Sequence, residues 1–232
     1  MARSGILVST IVPVFNEEQT IGNVIARLKT VLEKMNLKHE ILVVDDCSTD
    51  KSAEIARQLS VNVFVLNMHK GKGYALRVGF SKAKGEIIAT VDSDGSHRPE
   101  ELPRLLNPIL KGQADLVIGS RLLDQRPLYG RALNDGGVRF FNALIHLLTG
   151  TDVSDSQSGY RALRASVLKN LTLFSIEYEI ESEMLVKIAK KRFRVIEVPV
   201  TFEQRTYGKS RLDPLKDGAK ILFSILSAYI RG

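Results

Sequence analysis

The feature that most constrains this chain is a pattern repeated through its first half: a short apolar run, then carboxylates, then an amphipathic stretch. Residues 6–15 are rich in β-formers and give way to Asn16-Glu17-Glu18. Residues 41–44 stop at Asp45-Asp46, and residues 87–91 stop at Asp92-Ser93-Asp94. Ile21, Val24, Ile25, Leu28, Val31, Leu32 and Met35 recur at helical spacing and form one apolar stripe. Ser48 or Thr49 suits the cap of a helix reaching Gln58, residues 61–66 read as a third strand, and a helix is expected from about Tyr74 to Ala83. Pro99 opens a helix with Glu100 and Glu101 in its first turn, where the helix dipole favours carboxylates. Residues 116–118 form a fifth strand before Gly119-Ser120-Arg121. Continuous apolar strands alternating with amphipathic helices predict an α/β domain whose mostly parallel sheet is covered on both faces. Ligands of such sheets bind beyond the carboxyl ends of the strands. Solvated loops explain each acidic strand end singly, but not three such ends on one rim.

The second half is less regular. Phe140, Phe141, Leu144, Ile145, Leu147 and Leu148 mark a helix ended by Gly150. Residues 151–164 read as a polar loop, 180–191 as a helix, and 193–202 as a strand in which Pro199 argues for an edge or an end. Residues 205–212 read as a basic turn and 215–230 as a helix. The apolar run from Ile221 to Ile230 is too short to span a bilayer but long enough to lie in its interface, and a core-packed helix fits it equally. The start of the chain lacks the apolar stretch of a secretory signal. A single cysteine, Cys47, excludes an intramolecular disulfide and points to a reducing compartment.

Charge divides the chain. Its 33 Lys+Arg against 26 Asp+Glu give +7, with +1 in residues 1–120 and +6 in residues 121–232. The basic half suits a polyanion: nucleic acid, anionic membrane or a phosphorylated substrate. A nucleic-acid-binding module accounts for the charge but not for the acidic rim, and 6% aromatic residues offer little base stacking.

Asp92-Ser93-Asp94 is the sharpest motif. Two carboxylates one residue apart at a strand end can share a divalent ion, and that ion can neutralise a departing diphosphate. Asp-x-Asp-Gly is also sound turn chemistry. Tyr207-Gly208-Lys209-Ser210 evokes a phosphate-binding loop but lacks its first glycine, and Gly71-Lys72-Gly73 lacks the third glycine of a dinucleotide fingerprint. The latter reads as a flexible loop over the donor or metal site. Glu177, Glu179, Glu181 and Glu183 alternate; they would share one face of a strand or spread around a helix, and a solvated acidic face is the favoured reading.

The ordered motifs P-V-F-N-E (13–17), D-D-C-S-T-D (45–50), K-G-K-G (70–73), D-S-D-G-S-H-R-P-E-E (92–101) and G-S-R (119–121) resemble the family 2 glycosyltransferases. D-S-Q-S-G-Y-R-A-L-R (155–164), E-V-P-V-T-F (197–202) and R-T-Y-G-K-S-R-L (205–212) look like the branch of dolichol-phosphate mannose and glucose synthases. The resemblance implies a GT-A fold, a mostly parallel mixed sheet flanked by helices. It implies a catalytic domain over residues 1–212 and a C-terminal amphipathic, membrane-proximal helix over 213–232. The implied activity is inverting transfer of mannose or glucose from a nucleotide-sugar, GDP-mannose or UDP-glucose, to a polyprenyl (dolichyl) phosphate, with Mg²⁺ or Mn²⁺. Transfer to a sugar hydroxyl in glycan or polysaccharide assembly is the alternative.

Carried over residue by residue, Pro13, Glu17 and Asp45 line the nucleoside pocket, with Asp46 beside them and Lys72, Asp92, Ser93 and Asp94 completing the donor site. Asp92 and Asp94 hold the metal; Ser96 stands where mannose-type relatives often have a glutamine that joins the metal shell. Asp94 and Arg121 are the expected catalytic residues. Arg121 matches the arginine that family members use near the phosphates, and Arg131, Arg205, Lys209 and Arg211 are further cations for the acceptor phosphate. Arg211 replaces a lysine of the family pattern; a guanidinium grips phosphate bidentately. Asp155, Ser158 and Gly159 form a supporting loop by tight turning or by direct contact. His97 supports the donor site, and Glu183 is the glutamate chosen to contact the sugar. The membrane surface is an expected partner, nucleic acid is not, and a membrane-anchoring subunit or further transmembrane region fits the family. The expected location is the cytoplasmic face of a membrane, as a peripheral enzyme or as the catalytic domain of a longer membrane protein.

Overall fold

β1 (Leu7–Val14) is buried along all but its first residue, as a strand covered on both faces must be. In this computed structural model, which describes residues 5–123, 132–203, 207 and 213–231 but no side chains of 132–135 or 214, β1 lies near the middle of a seven-stranded sheet. It pairs in parallel with β2 (Lys38–Asp45) and with β4 (Ile87–Thr90). β3 (Asn62–Val65) continues the sheet beyond β2. On the other side come β6 (Arg161–Arg164), β5 (Leu116–Ser120) and β7 (Val195–Pro199), giving the order β3-β2-β1-β4-β6-β5-β7. Only β6 runs antiparallel to its neighbours, among the described residues. Pro199 closes β7 at the sheet edge, where its missing N–H costs no ladder bond.

The helices cover both faces. α1 (Ile21–Lys34) and α4 (Leu102–Leu110), which follows a 3₁₀ turn at Pro99–Glu101, bury Ile25, Leu28, Leu105 and Leu106 against Val8, Val12 and Val14. α2 (Ser52–Gln58) joins this layer through Ala56. Ile11 points the other way, toward α3 (Lys72–Lys82), α5 (Ala132–Thr149), α7 (Ile180–Lys190) and α8 (Pro214–Arg231). A short α6 (Ala165–Leu168) follows β6 directly. α7 is buried from Ile180 to Ala189, because α8 and α5 lie against it.

Several elements differ from the sequence reading. Residues 161–164 are a strand, not a loop: Arg161 and Arg164 mask it, yet Ala162 and Leu163 pair with both β4 and β5. α2 begins at Ser52, because the backbone N–H groups of Ser48 and Thr49 bond to Asp45 and Asn16. α3 begins at Lys72, so Gly71-Lys72-Gly73 is a helix start and not a flexible loop. A Cβ on Gly73 would meet the Glu177 carbonyl oxygen at 2.7 Å, which explains the glycine as close packing. The glutamates at 179, 181 and 183 are buried and form no solvated face.

Candidate active site

The three acidic strand ends converge, and each carboxylate has a distinct environment. The ends of β1 and β2 interlock first. Asn16 and Cys47 take left-handed backbone (φ 55 and 65). The Asn16 N–H donates to Ser48 Oγ at 2.9 Å, the Thr49 N–H donates to Asn16 Oδ1 at 2.7 Å, and the Glu17 N–H donates to Ser52 Oγ at 2.8 Å. Asp45 is fully buried; Oδ1 accepts from Ser48 N–H at 2.7 Å, and Oδ2 has no hydrogen-bond partner among the described residues. Asp46 accepts the N–H groups of Lys70 at 2.8 Å and Gly71 at 2.7 Å, and lies 2.8 Å from His69 Nδ1. The His69 ring stacks on Phe15 with centroids 4.0 Å apart. Asp46 thus ties the end of β2 to the start of α3.

Lys72, on the first turn of α3, links two carboxylates. Its Nζ lies 2.7 Å from Asp92 Oδ1 and 2.9 Å from Glu181 Oε1. Burial opposes charge on Lys72, but Asp92 and Glu181 outweigh it and raise its pKa. Burial would likewise raise Asp92; Lys72, helped by His97 and Arg121, holds it at about 2. Asp92 is therefore an anion at any physiological pH. Asp94 Oδ1 accepts from the Ser96 hydroxyl at 2.6 Å and its N–H at 2.9 Å, so Ser96 orients Asp94. His97 is buried between Tyr160 and Phe202, and burial pushes its pKa down to about 4 against the pull of Asp92. Its neutral ring packs behind the site, with Nδ1 3.7 Å from Asp92.

Arg121 follows β5 and is clamped by the buried Asp155: Nε and Nη2 each donate at 2.7 Å, and the Arg121 N–H donates at 2.9 Å. Burial disfavours charge on both partners, yet their attraction raises Arg121 and lowers Asp155. Asp155 thus positions Arg121, whose guanidinium also lies over the Phe202 ring. Ser158 Oγ donates to the Gly119 carbonyl at 2.6 Å, and the Gly159 carbonyl accepts from Thr90 Oγ1 at 2.6 Å. A Cβ on Gly159 would come within 2.6 Å of Lys72 Nζ and 2.9 Å of Asp92 Oδ2, so this position must stay bare. Behind the loop, Arg161 donates to the carbonyls of Ser156, Ser158 and Glu181.

A cavity of about 420 Å³ lies over the ends of β1, β2 and β4; Asp45, expected in its nucleoside pocket, is fully buried and does not line it, and neither do Arg121 and Asp155. Pro13, Phe15, Glu17, Asp46 and His69 line one part, and Lys72 with Asp92, Ser93 and Asp94 another. Glu177, Tyr178 and the start of α8, with Asp213, Lys216, Asp217 and Lys220, complete its wall. Glu183 is engaged elsewhere: its carboxylate accepts the N–H groups of Phe174 and Ser175 and pairs with Lys187 at 2.6 Å. The glutamate beside Lys72 is Glu181. Arg131, Arg205, Lys209 and Arg211 lie outside the described residues.

The donor set fits a hard divalent cation. Asp92 and Asp94 offer carboxylate oxygens and Cys47 does not line the cavity, the chemistry of Mg²⁺ or Mn²⁺. Among the described residues no three His, Cys, Asp or Glu side chains converge as a complete cage. One or two carboxylates, with water and phosphate oxygens supplying the rest, is the usual manner of holding Mg²⁺ at phosphates.

Sequence reasoning missed Glu181, His69, Arg161 and the α8 wall. The alternating glutamates signalled that one carboxylate could enter the site, but not which. His69 and α8 carry no local signal, because tertiary packing alone brings them to the cavity.

Residues 9–172 match the family model described as glycosyl transferase family 2. An uncharacterised protein of Methanocaldococcus jannaschii is 36% identical over 230 residues, covering 95% of this chain and 91% of that one. A dolichol-phosphate mannosyltransferase of Pyrococcus furiosus is 35% identical over 214 residues, covering 88% of this chain; the match spans 59% of that enzyme's length. The fold is similar to glucosyl-3-phosphoglycerate synthase of Mycobacterium tuberculosis, solved with Mn²⁺, UDP and glucosyl-3-phosphoglycerate. The TM-score is 0.79 at 24% identity, over 98% of this chain and 81% of that one.

Proposed function

This chain belongs to glycosyl transferase family 2 and has a GT-A fold, and we propose that it moves a hexose from a nucleotide-sugar to a polyprenyl phosphate. The observation that carries this reading is the cavity lined by Asp92, Asp94 and Lys72, where Lys72 pairs with Asp92 at 2.7 Å and the charge of Arg121 helps to hold Asp92 anionic. Mannose from GDP-mannose and glucose from UDP-glucose are the leading donors, with a UDP-N-acetylhexosamine behind them.

Pro13, Glu17 and Asp46 line the nucleoside end of the cavity and Phe15 with His69 offers it a flat face, while Asp45, buried behind them, holds the loop after β2 through the Ser48 N–H. Asp92 and Asp94 would hold Mg²⁺ or Mn²⁺, which when bound supplies positive charge to the leaving diphosphate. Ser96 fixes the Asp94 carboxylate for that task, and Lys72 tempers the charge of Asp92. A phosphate monoester is already anionic at neutral pH, so the acceptor needs cations that position it and not a base that deprotonates it. Arg121, oriented by Asp155, is the described cation for this role; Arg131, Arg205, Lys209 and Arg211 are its proposed companions. Attack on the anomeric carbon from the face opposite the diphosphate inverts the configuration there. We assign residues 1–212 to the catalytic unit and 213–232 to a membrane-proximal helix whose first turns close the donor cavity, working at the cytoplasmic face of a membrane.

Transfer to a sugar hydroxyl is the second reading. Glu181 favours it, because a hydroxyl acceptor requires a base and this buried carboxylate stands beside Lys72. The test is to incubate the protein with dolichyl phosphate, Mn²⁺ and a donor panel. An acid-labile, lipid-soluble sugar product is expected; no lipid-linked sugar with any donor would refute the reading.

A further inference from the structure

α8 has two apolar faces, and only one is used by the core. At 100° per residue, Asp217, Ile221, Ile225 and Ala228 form the stripe that packs inward, and all four are buried. Leu215, Phe223, Leu226, Tyr229 and Ile230 fall on a second arc of about 120° that faces outward. Phe223 is 71% exposed, Ile230 78% and Leu215 87%. α5 packs on the same side of the sheet through Phe141 and Ile145, touches α8, and presents Phe140 and Leu147 outward. Phe174 and Ile176 extend the apolar surface beside α7. Scattered apolar side chains on a surface are ordinary; five exposed apolar side chains on one arc of a single helix are not.

The chemistry beside the patch identifies what covers it. Lys216, Lys220 and Arg231 run along one flank of the outer stripe, and with Lys187 the last two line a cavity of about 250 Å³ between α7 and α8, where Phe174 and Phe223 also stand. Apolar side chains flanked by a row of cations are the pattern of a helix lying in the interface of an anionic bilayer. Among the described residues no helix is long and apolar enough to cross one. The same helix reaches the donor cavity, because Lys216, Asp217 and Lys220 line that cavity too, and Lys220 lines both.

We propose that the outer face of α8, with α5 and the 174–176 segment, docks on an anionic lipid surface, and that docking strengthens nucleotide-sugar binding because α8 is a wall of both sites. This builds on the reading of a lipid-phosphate acceptor and adds to it a donor site that responds to the bilayer. A bilayer that fixes α8 by its outer face fixes the cations on its flank as well, so the donor meets a wall already ordered. The coupling must be reciprocal, so the donor strengthens docking by the same factor.

The experiment uses vesicles of neutral lipid, vesicles with added phosphatidylglycerol, and no polyprenyl phosphate in either, so its outcome is independent of the acceptor. Co-sedimentation is expected with the anionic vesicles and not with neutral ones. The double variant Phe223→Ser with Ile230→Ser should lose it while keeping its thermal melt and its affinity for nucleotide in solution. Affinity for UDP-glucose or GDP-mannose with Mn²⁺, whichever the protein binds, should rise about fivefold or more on anionic vesicles, the lower end of ordinary coupling between sites. Unchanged affinity on vesicles that do bind would overturn the linkage. Vesicle binding that survives the double variant would overturn the assigned face, and so would self-association through these residues without vesicle binding.

Discussion

Replacing Arg161 by methionine separates the buried frame of the site from its chemistry. The guanidinium is fully buried on β6 and donates to three carbonyls, Ser158 at 2.8 Å and Glu181 and Ser156 at 2.7 Å each. Methionine fills similar space but donates nothing. Three stranded carbonyls at about 1 to 3 kcal/mol each would cost about 3 to 9 kcal/mol. Part of this is offset, because the guanidinium no longer suffers the burial that pushes its pKa down to about 10. The expected net loss is about 3 to 4 kcal/mol, read as a lower urea midpoint at unchanged slope. The same replacement at half-buried Arg164, which bonds to Ile109 and pairs with Asp115, should cost about 1 kcal/mol. A loss below about 1 kcal/mol for Arg161→Met would show that the three carbonyls do not depend on it and would refute the reasoning.

Three further predictions concern packing and charge. Gly159→Ala forces the buried Lys72–Asp92 pair apart, and should lower transfer about 100-fold and stability by about 1 to 3 kcal/mol; rate assays and a thermal melt check the two. Gly79→Ala drives a Cβ into Ile11 Cγ2 where α3 meets β1, and should destabilise by about 1 to 3 kcal/mol in a thermal melt. Asp155→Asn should lower stability at neutral pH. Arg121 holds the Asp155 pKa below its ordinary 3.8, so the stabilisation is complete above that value and is lost as pH falls through the folded pKa. The gap between wild type and variant, followed by denaturation at several pH values, should close in acid.

The parallel strands were legible because two-sided burial leaves continuous apolar runs, as at residues 41–44, and because Pro99 marks a helix start whatever its surroundings. β6 was not. Its four residues carry two arginines, and its place between β4 and β5 follows from pairing at long range, which no local period reveals. The glutamates on α7 misled for a related reason. A buried carboxylate is legible only through its partners, and those of Glu183 (Phe174, Ser175 and Lys187) and of Glu181 (Lys72) are set by tertiary structure. The site itself was clearest where motif and strand end coincide, at Asp45-Asp46 and Asp92-Ser93-Asp94. The clamp of Asp155 on Arg121 joins two motifs 34 residues apart, and the sequence names both partners without showing that they meet.

The most direct test of a diphosphate site built on Asp92 and Asp94 is titration calorimetry of UDP and GDP, with and without Mn²⁺, against wild type and Asp94→Ala. Binding of one nucleotide that needs the metal and disappears in Asp94→Ala, with the melt of the variant unchanged, is the expected result. Nucleotide binding of equal strength without Mn²⁺, or equal in the two proteins, would contradict it.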